Sequence, residues 1–185
     1  VCDEYGRYTD FLKDLLVFYS SEDSMQTLKE YHDAMPESQK AIYYCTADTV
    51  KHAMDLPQCE DVRNRGYEIL YLDHPVDETV IMQVKNYDGK PFVNIVTEDL
   101  GFQTEEEKKA AEEKSIANKD LFDFMVESIG DENLKQVTLS NKLKSSSCCL
   151  TTTGGLTLEM EKYFRTGPNE EMRKLRAERV LELNG

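Results

Sequence analysis

Asp48, the pair Asp73–His74 and Asp77 are the residues of this chain best placed to do chemistry. Each falls just past the end of a predicted strand, where open α/β sheets bind their ligands. Carboxylates gathered there could hold Mg²⁺ and support metal-assisted phosphoryl transfer or hydrolysis. The same residues also have ordinary structural uses. Asp48 and Asp77 fall in the first turns of predicted helices, where the helix dipole favours negative charge. Asp73 is a natural N-cap, and His74 precedes a proline at a turn. A metal-dependent α/β enzyme using Asp48, Asp73 and Asp77 is the alternative against which the rest of the chain is read.

Other chemistry finds less support. No Gly-x-Gly-x-x-Gly or P-loop pattern occurs, and Gly154-Gly155 lacks both the following lysine and the repeat spacing. Ser145 to Ser147 and Cys148-Cys149 have no histidine within the same local motif, as nucleophilic catalysis would need. Of the five cysteines, Cys2, Cys45 and Cys59 are scattered, while Cys148 and Cys149 would point to opposite faces of a strand. None of the spacings is that of a zinc site. The cysteines read as reduced thiols, partly buried as small hydrophobes, in a cytoplasmic protein. His32 and His52 read as solvent-facing helical residues. No cofactor and no metal is expected in this chain.

The net charge of −14 is spread along the sequence rather than gathered in a tail. Nucleic acid and anionic membranes require a concentrated basic face, so neither is an expected partner. No apolar run approaches the roughly 18 residues of a membrane span, and no signal peptide is visible. The chain starts at Val1 rather than Met and stops at Gly185 inside a predicted strand, so a piece of a longer protein is expected.

The elements that must position these residues follow from periodicity and punctuation. Tyr8 to Ser21 carries Phe11, Leu12, Leu15, Leu16, Phe18 and Tyr19, which predicts a helix with a broad apolar face. Thr27 and Glu30 form a capping box, and the helix they open should end near Met35 because Pro36 follows. Strand Ala41 to Cys45 comes next. A helix over Asp48 to Asp55 is broken by Leu56-Pro57, and a second runs to about Arg65, stopped by Gly66. Strand Tyr67 to Leu72 is predicted to lie parallel to the first, inside an α/β layer. His74-Pro75 begins another helix, and Asp88-Gly89 turns the chain into strand Pro91 to Val96.

The character then changes. Thr97 to Gln103 is a connector, and Thr104 and Glu107 form a second capping box. The helix they open could reach Ile129, about 25 residues and roughly 38 Å, with a charged first half and an apolar face in its second. Such a helix suits a bridge between domains. Val137 to Leu143 and Cys148 to Thr152 read as an antiparallel hairpin. A helix from Thr157 to Phe164 follows Gly154-Gly155 and closes at Thr166-Gly167-Pro168. A charged stretch then leads into strand Val180 to Leu183. The predicted fold class is α/β: a three-layer α/β/α lobe with a short parallel sheet, then a long connecting helix and an α+β lobe with an antiparallel hairpin.

Two blocks of sequence resemble one family. Gln39-Lys-Ala-Ile-Tyr-Tyr44, Gly66-Tyr-Glu-Ile-Leu-Tyr71, Val76-Asp-Glu78 and Tyr87-Asp-Gly-Lys90 make up the first block. Ser140-Asn-Lys-Leu143, Ser147-Cys-Cys149, Met160-Glu161 and Glu182-Leu-Asn184 make up the second. Both are similar to the heat shock protein 90 family of molecular chaperones, in its bacterial form. The resemblance implies that residues 1–101 are the C-terminal part of the middle domain. It likewise implies that residues 102–185 are a connecting helix and the start of the C-terminal domain, without the dimerisation helices. Family members are ATP-driven homodimers that bind unfolded or partly folded client proteins. Their ATP, Mg²⁺ and phosphate-reaching arginine would lie before Val1, so this chain itself is not expected to be an enzyme.

The resemblance also assigns candidate client contacts. Leu156, Met160, Tyr163 and Phe164 lie along one side of the helix that family members present to clients. Flexible methionine and aromatic side chains there would repack around different sequences. A further family patch follows the Asp77-Glu78 pair. Many members carry an aromatic where this chain has Thr79, leaving Val80 and Met82 to supply the apolar contact.

Overall fold

The computed structural model describes residues 8–21, 24–74 and 76–185. The chain forms two compact units, the first ending at Glu98 and the second beginning at Asp99. The first contains α1 (Thr9–Leu12), β1 (Val17–Ser20), β2 (Met25–Thr27), α2 (Leu28–Ala34) and β3 (Ile42–Thr46). It continues with α3 (Val50–Met54), α4 (Glu60–Asn64), β4 (Ile69–Leu72), α5 (Asp77–Val84), β5 (Asn86–Tyr87) and β6 (Lys90–Asn94). Cys2 and the helix-opening Pro75 lie outside the described residues.

The strands form a six-stranded sheet in the order β2-β1-β4-β3-β6-β5. Its centre is parallel: β3 pairs β4 with Tyr43 opposite Ile69 and Cys45 opposite Tyr71, and it pairs β6 on its other side. β1, β2 and β5 join antiparallel towards the edges, so the expected parallel pair is the middle of a mixed sheet. Alternation divides the side chains of the central strands. Ile42, Tyr44, Leu70 and Leu72 enter a buried cluster with Leu28 and Tyr31 of α2 and Ile81 and Val84 of α5. Cys45 instead meets Ala53 of α3 and Cys59 before α4.

One predicted helix is not formed. Between Tyr8 and Ser21 the chain makes α1, a single 3₁₀ turn at Lys13–Leu15, and then strand β1. Val17 and Tyr19 are exposed while Phe18 and Ser20 are buried, a two-residue alternation that a helix cannot produce. Pairing on both sides, to β2 and β4, outweighs the apolar spacing that favoured a helix. The capping box at Thr27 and Glu30 forms as read, with α2 ending before Met35.

The second unit contains α6 (Glu105–Ala117), α7 (Lys119–Ile129), β7 (Leu134–Leu139), β8 (Cys148–Thr153), α8 (Leu158–Thr166) and β9 (Glu178–Leu183). Two expectations need correcting here. The single long helix is interrupted at Asn118, whose backbone leaves helical geometry at φ −102° and ψ 11°. The Asn118 side-chain amide donates to the Lys114 carbonyl at 2.8 Å, a local bond that competes with regular helix. The hairpin is also absent: the sheet order is β7-β9-β8, with β9 parallel to β7 and antiparallel to β8. The polar segment between β7 and β8 is too long for a tight turn and leaves room for the last strand to enter between them. Among the described residues no helix is long and apolar enough to cross a membrane.

A buried hydroxyl ties the first unit together. Tyr31 of α2 is fully buried, and its hydroxyl donates to the Glu68 carbonyl at 2.5 Å. It accepts from the Gln39 side-chain amide at 2.8 Å and from the Tyr43 N–H at 3.4 Å. Burial pushes this phenol well above its ordinary range, so it stays a donor at any physiological pH. Tyr31→Phe keeps the ring but removes the hydroxyl shared by the Glu68 carbonyl, the Gln39 amide and the Tyr43 N–H. It is expected to lower unfolding stability by about 2 kcal/mol, read as a shifted urea midpoint; an unmoved midpoint would show that water replaces the hydroxyl.

Candidate functional site

The candidate surface is built on α8. Gly154 and Gly155 precede it with φ of +80° and +82°, where a side chain would be strained. Thr157 caps the helix by accepting the Met160 N–H on its Oγ1 at 3.1 Å. What holds the helix down is a carboxylate. Glu161 is only 4% exposed, and its Oε2 accepts the Ala177 N–H at 2.8 Å. Its Oε1 lies 3.6 Å from Arg179 Nη2 and 4.0 Å from Arg176 Nε. Arg179, on β9, also grips Asp131 at 2.6 Å, joining the segment before β7 to the same network. The Asn133 N–H, followed by the Arg179 guanidinium, holds the Asp131 carboxyl below its ordinary range.

Because a charge occupies the inward face, the apolar side chains of α8 are displaced to its flanks. Leu156, Met160 and Phe164 are half-buried, and Tyr163 is 50% exposed. The Tyr163 and Phe164 rings lie 6.0 Å apart between centroids, so the two form one aromatic patch. None of the four is sealed in the interior.

The two candidates on α5 do not share a face. Val80 packs against the buried cluster of the first unit, whereas Met82 is 55% exposed. At 100° per residue they sit about 160° apart around the helix. Val76, just before α5, is a further exposed apolar residue that the motif reading did not single out.

The acidic constellation takes local partners. Asp48 Oδ1 lies 2.6 Å from His52 Nδ1, and both side chains face solvent. Thr49, rather than Asp48, opens α3 by accepting the His52 N–H. Asp73 does not cap α5, whose N-cap is Val76. Asp77 instead turns back to accept the His74 N–H at 3.3 Å. His32 is half-buried rather than solvent-facing, its ring edge-on to Tyr87 at 5.8 Å. Among the described residues, no group of three or more His, Cys, Asp or Glu side chains gathers at metal-binding geometry.

Comparison with known proteins decides the family. The sequence profile of the Hsp90 protein family matches residues 2–185. The chain belongs to the Hsp90 family. It is similar to the chaperone protein HtpG of Bacillus subtilis, 42% identical over 185 residues, covering 100% of this chain and 29% of that protein. It is 43% identical to the chaperone protein HtpG of Oceanobacillus iheyensis, again over 100% of this chain and 29% of that protein. Among solved structures, the middle domain of a Plasmodium falciparum heat shock protein aligns at 29% identity and TM-score 0.47, over 50% of this chain and 40% of that one. The chain spans 29% of the length of the curated Hsp90-family relatives it matches. Those relatives are named chaperones, and among the described residues no carboxylate cluster of the kind a metal-dependent enzyme would use is found.

Motif reading of this Hsp90-family chain missed the Glu161–Arg179–Asp131 network. A signal was present: Glu161 immediately follows Met160, on the side of the helix that must face protein, and such a carboxylate requires a cation. Arg176 just before β9 and Arg179 on it were available to supply it. Glu161→Ala leaves the Ala177 N–H without its acceptor and removes one of the Arg179 partners. We expect it to cost roughly 2–3 kcal/mol of second-unit stability, with Glu161→Gln costing less because it still accepts the N–H. Chemical denaturation of the three proteins measures this.

A pH dependence follows from Asp131. Its carboxyl is depressed in the folded chain, so its contribution is complete above the ordinary aspartate value of about 3.9. That contribution is lost as pH falls through the lower folded-state value. Asp131→Asn is expected to flatten this acid limb; an identical limb in both proteins would assign it to other carboxylates.

Proposed function

We propose that this chain supplies client-contact surface to a molecular chaperone of the Hsp90 family, with α8 as the principal contact. The observation that carries the reading is the exposed Tyr163 ring, with half-buried Met160 and Phe164 beside it, on a helix whose buried position is the charged Glu161. Weak contacts to such side chains suit partners of varied sequence, since methionine and aromatic groups repack easily. Unfolded or partly folded polypeptides are therefore the partners. The dispersed net charge of −14 favours them over nucleic acid or membranes. On the same reading the first unit is a three-layer α/β/α lobe of the middle domain, and the second is the start of the C-terminal domain.

The chaperone cycle would depend on the longer protein. We read it as an ATP-driven cytoplasmic homodimer, with ATP and Mg²⁺ bound by other segments. The residues present here do not fit a nucleotide: the chain has no glycine-rich phosphate loop. Its part is to hold apolar side chains in place while other segments carry out the hydrolysis.

Tyr163→Asp places a charge at the outermost point of the patch without touching Glu161. In the full-length protein it is expected to weaken capture of a fluorescently labelled, denatured model polypeptide about fivefold, near 1 kcal/mol. Fluorescence anisotropy gives the affinity, and an unchanged thermal midpoint confirms that the fold is intact. Equal affinity in the two proteins would remove α8 from the client surface.

A further inference from the structure

The first unit holds a pair of thiols that the chaperone reading does not use. Cys45, one residue before the end of β3, and Cys59, just before α4, are both fully buried. The Cys59 thiol donates to Cys45 Sγ at 3.4 Å. Both sulfurs also lie near the Ala53 carbonyl, at 3.6 and 3.9 Å. Neither thiol is paired in a disulfide. A disulfide needs an S–S distance near 2.05 Å, so the 3.4 Å contact requires about 1.4 Å of further approach. The two sides of the pair differ in freedom. Cys45 sits on a strand bonded to β4 and to β6, whereas Cys59 belongs to the helical crossover that covers this face of the sheet.

We propose that Cys45 and Cys59 are an oxidative modification site, closing to a disulfide that staples the helical crossover between β3 and β4 onto the sheet. The oxidant is a peroxide. When the crossover lifts, hydrogen peroxide oxidises the Cys59 thiol to a sulfenic acid and releases one water. As the crossover closes, Cys45 Sγ attacks the Cys59 sulfur, the S–O bond breaks, and the second water leaves. The two thiols together give up two electrons and two protons, and the peroxide is reduced to two waters. Burial, with the adjacent Cys59, holds the Cys45 thiol well above its ordinary range, so it is protonated and unreactive while the crossover is shut and attacks the sulfenic acid before the crossover has fully re-covered it. Closure spans a separation of 14 residues and restricts the α3–α4 crossover.

The test uses the whole chain treated with hydrogen peroxide and quenched with an alkylating agent under denaturing conditions. Non-reducing peptide mapping is expected to find Cys45 and Cys59 in one linked peptide, with the thiol count at these positions falling by two. Dithiothreitol should restore both thiols. Cys59→Ala should abolish the linked peptide and leave Cys45 alkylated. Oxidation should also slow amide exchange across residues 47–68, a change absent from Cys59→Ala. Recovery of both cysteines as alkylated monomers after peroxide has oxidised Cys148 would overturn the proposal. So would a linkage of Cys45 or Cys59 to any other cysteine.

Discussion

A carboxylate buried beneath a helix governs what the second unit can show to its surroundings. Glu161 takes the position on α8 where an apolar side chain would normally seal helix to sheet. It replaces that seal with a hydrogen bond to the Ala177 N–H and an ionic contact to Arg179. Ionic anchors of this kind add little net stability over well-packed apolar contacts, because desolvation consumes much of the attraction. Their structural consequence is directional. The fully buried position of the helix is a polar residue, while Met160 and Phe164 are half-buried on its flanks and Tyr163 is exposed on its outer side.

The first unit solves its polar problems differently. Its centre is a parallel strand pair whose side chains alternate between two buried faces, and such strands leave few places for a polar group. The Tyr31 hydroxyl therefore gathers the loose ends of the connections around it, at Glu68, Gln39 and Tyr43. Asn94 does the same near the end of β6. Its side-chain amide donates to Glu78 at 3.0 Å, and its side-chain oxygen accepts the Val96 N–H at 2.9 Å. These networks fix how α2 and α5 lie on the sheet.

Local signals were legible in the sequence wherever a single turn of chain decides the outcome. The capping boxes at Thr27–Glu30 and Thr104–Glu107 both form, because donor and acceptor lie within three residues of each other. Gly66 and Gly130 adopt the positive φ that ends a helix. The parallel pairing of β3 with β4 was legible because a helical crossover permits it. What could not be read locally depended on partners far along the chain. Phe11 to Tyr19 has helical spacing, yet pairing of β1 with β2 and β4 draws its second half into the sheet. The placement of β9 between β7 and β8 is fixed only when the last residues arrive, and no turn motif announces it. The anchor beneath α8 has the same origin, since Glu161 meets Asp131 only through Arg179.

In the proposed function, α8 is held by charge on one side and offers its aromatic side to other polypeptides. Site-specific photocrosslinking tests it most directly. A benzophenone side chain is placed at Tyr163, and separately at exposed Glu170, in the full-length protein mixed with a denatured polypeptide. Strong crosslinks are expected from position 163 and few from position 170. Equal yields from both positions, or none from 163, would contradict it.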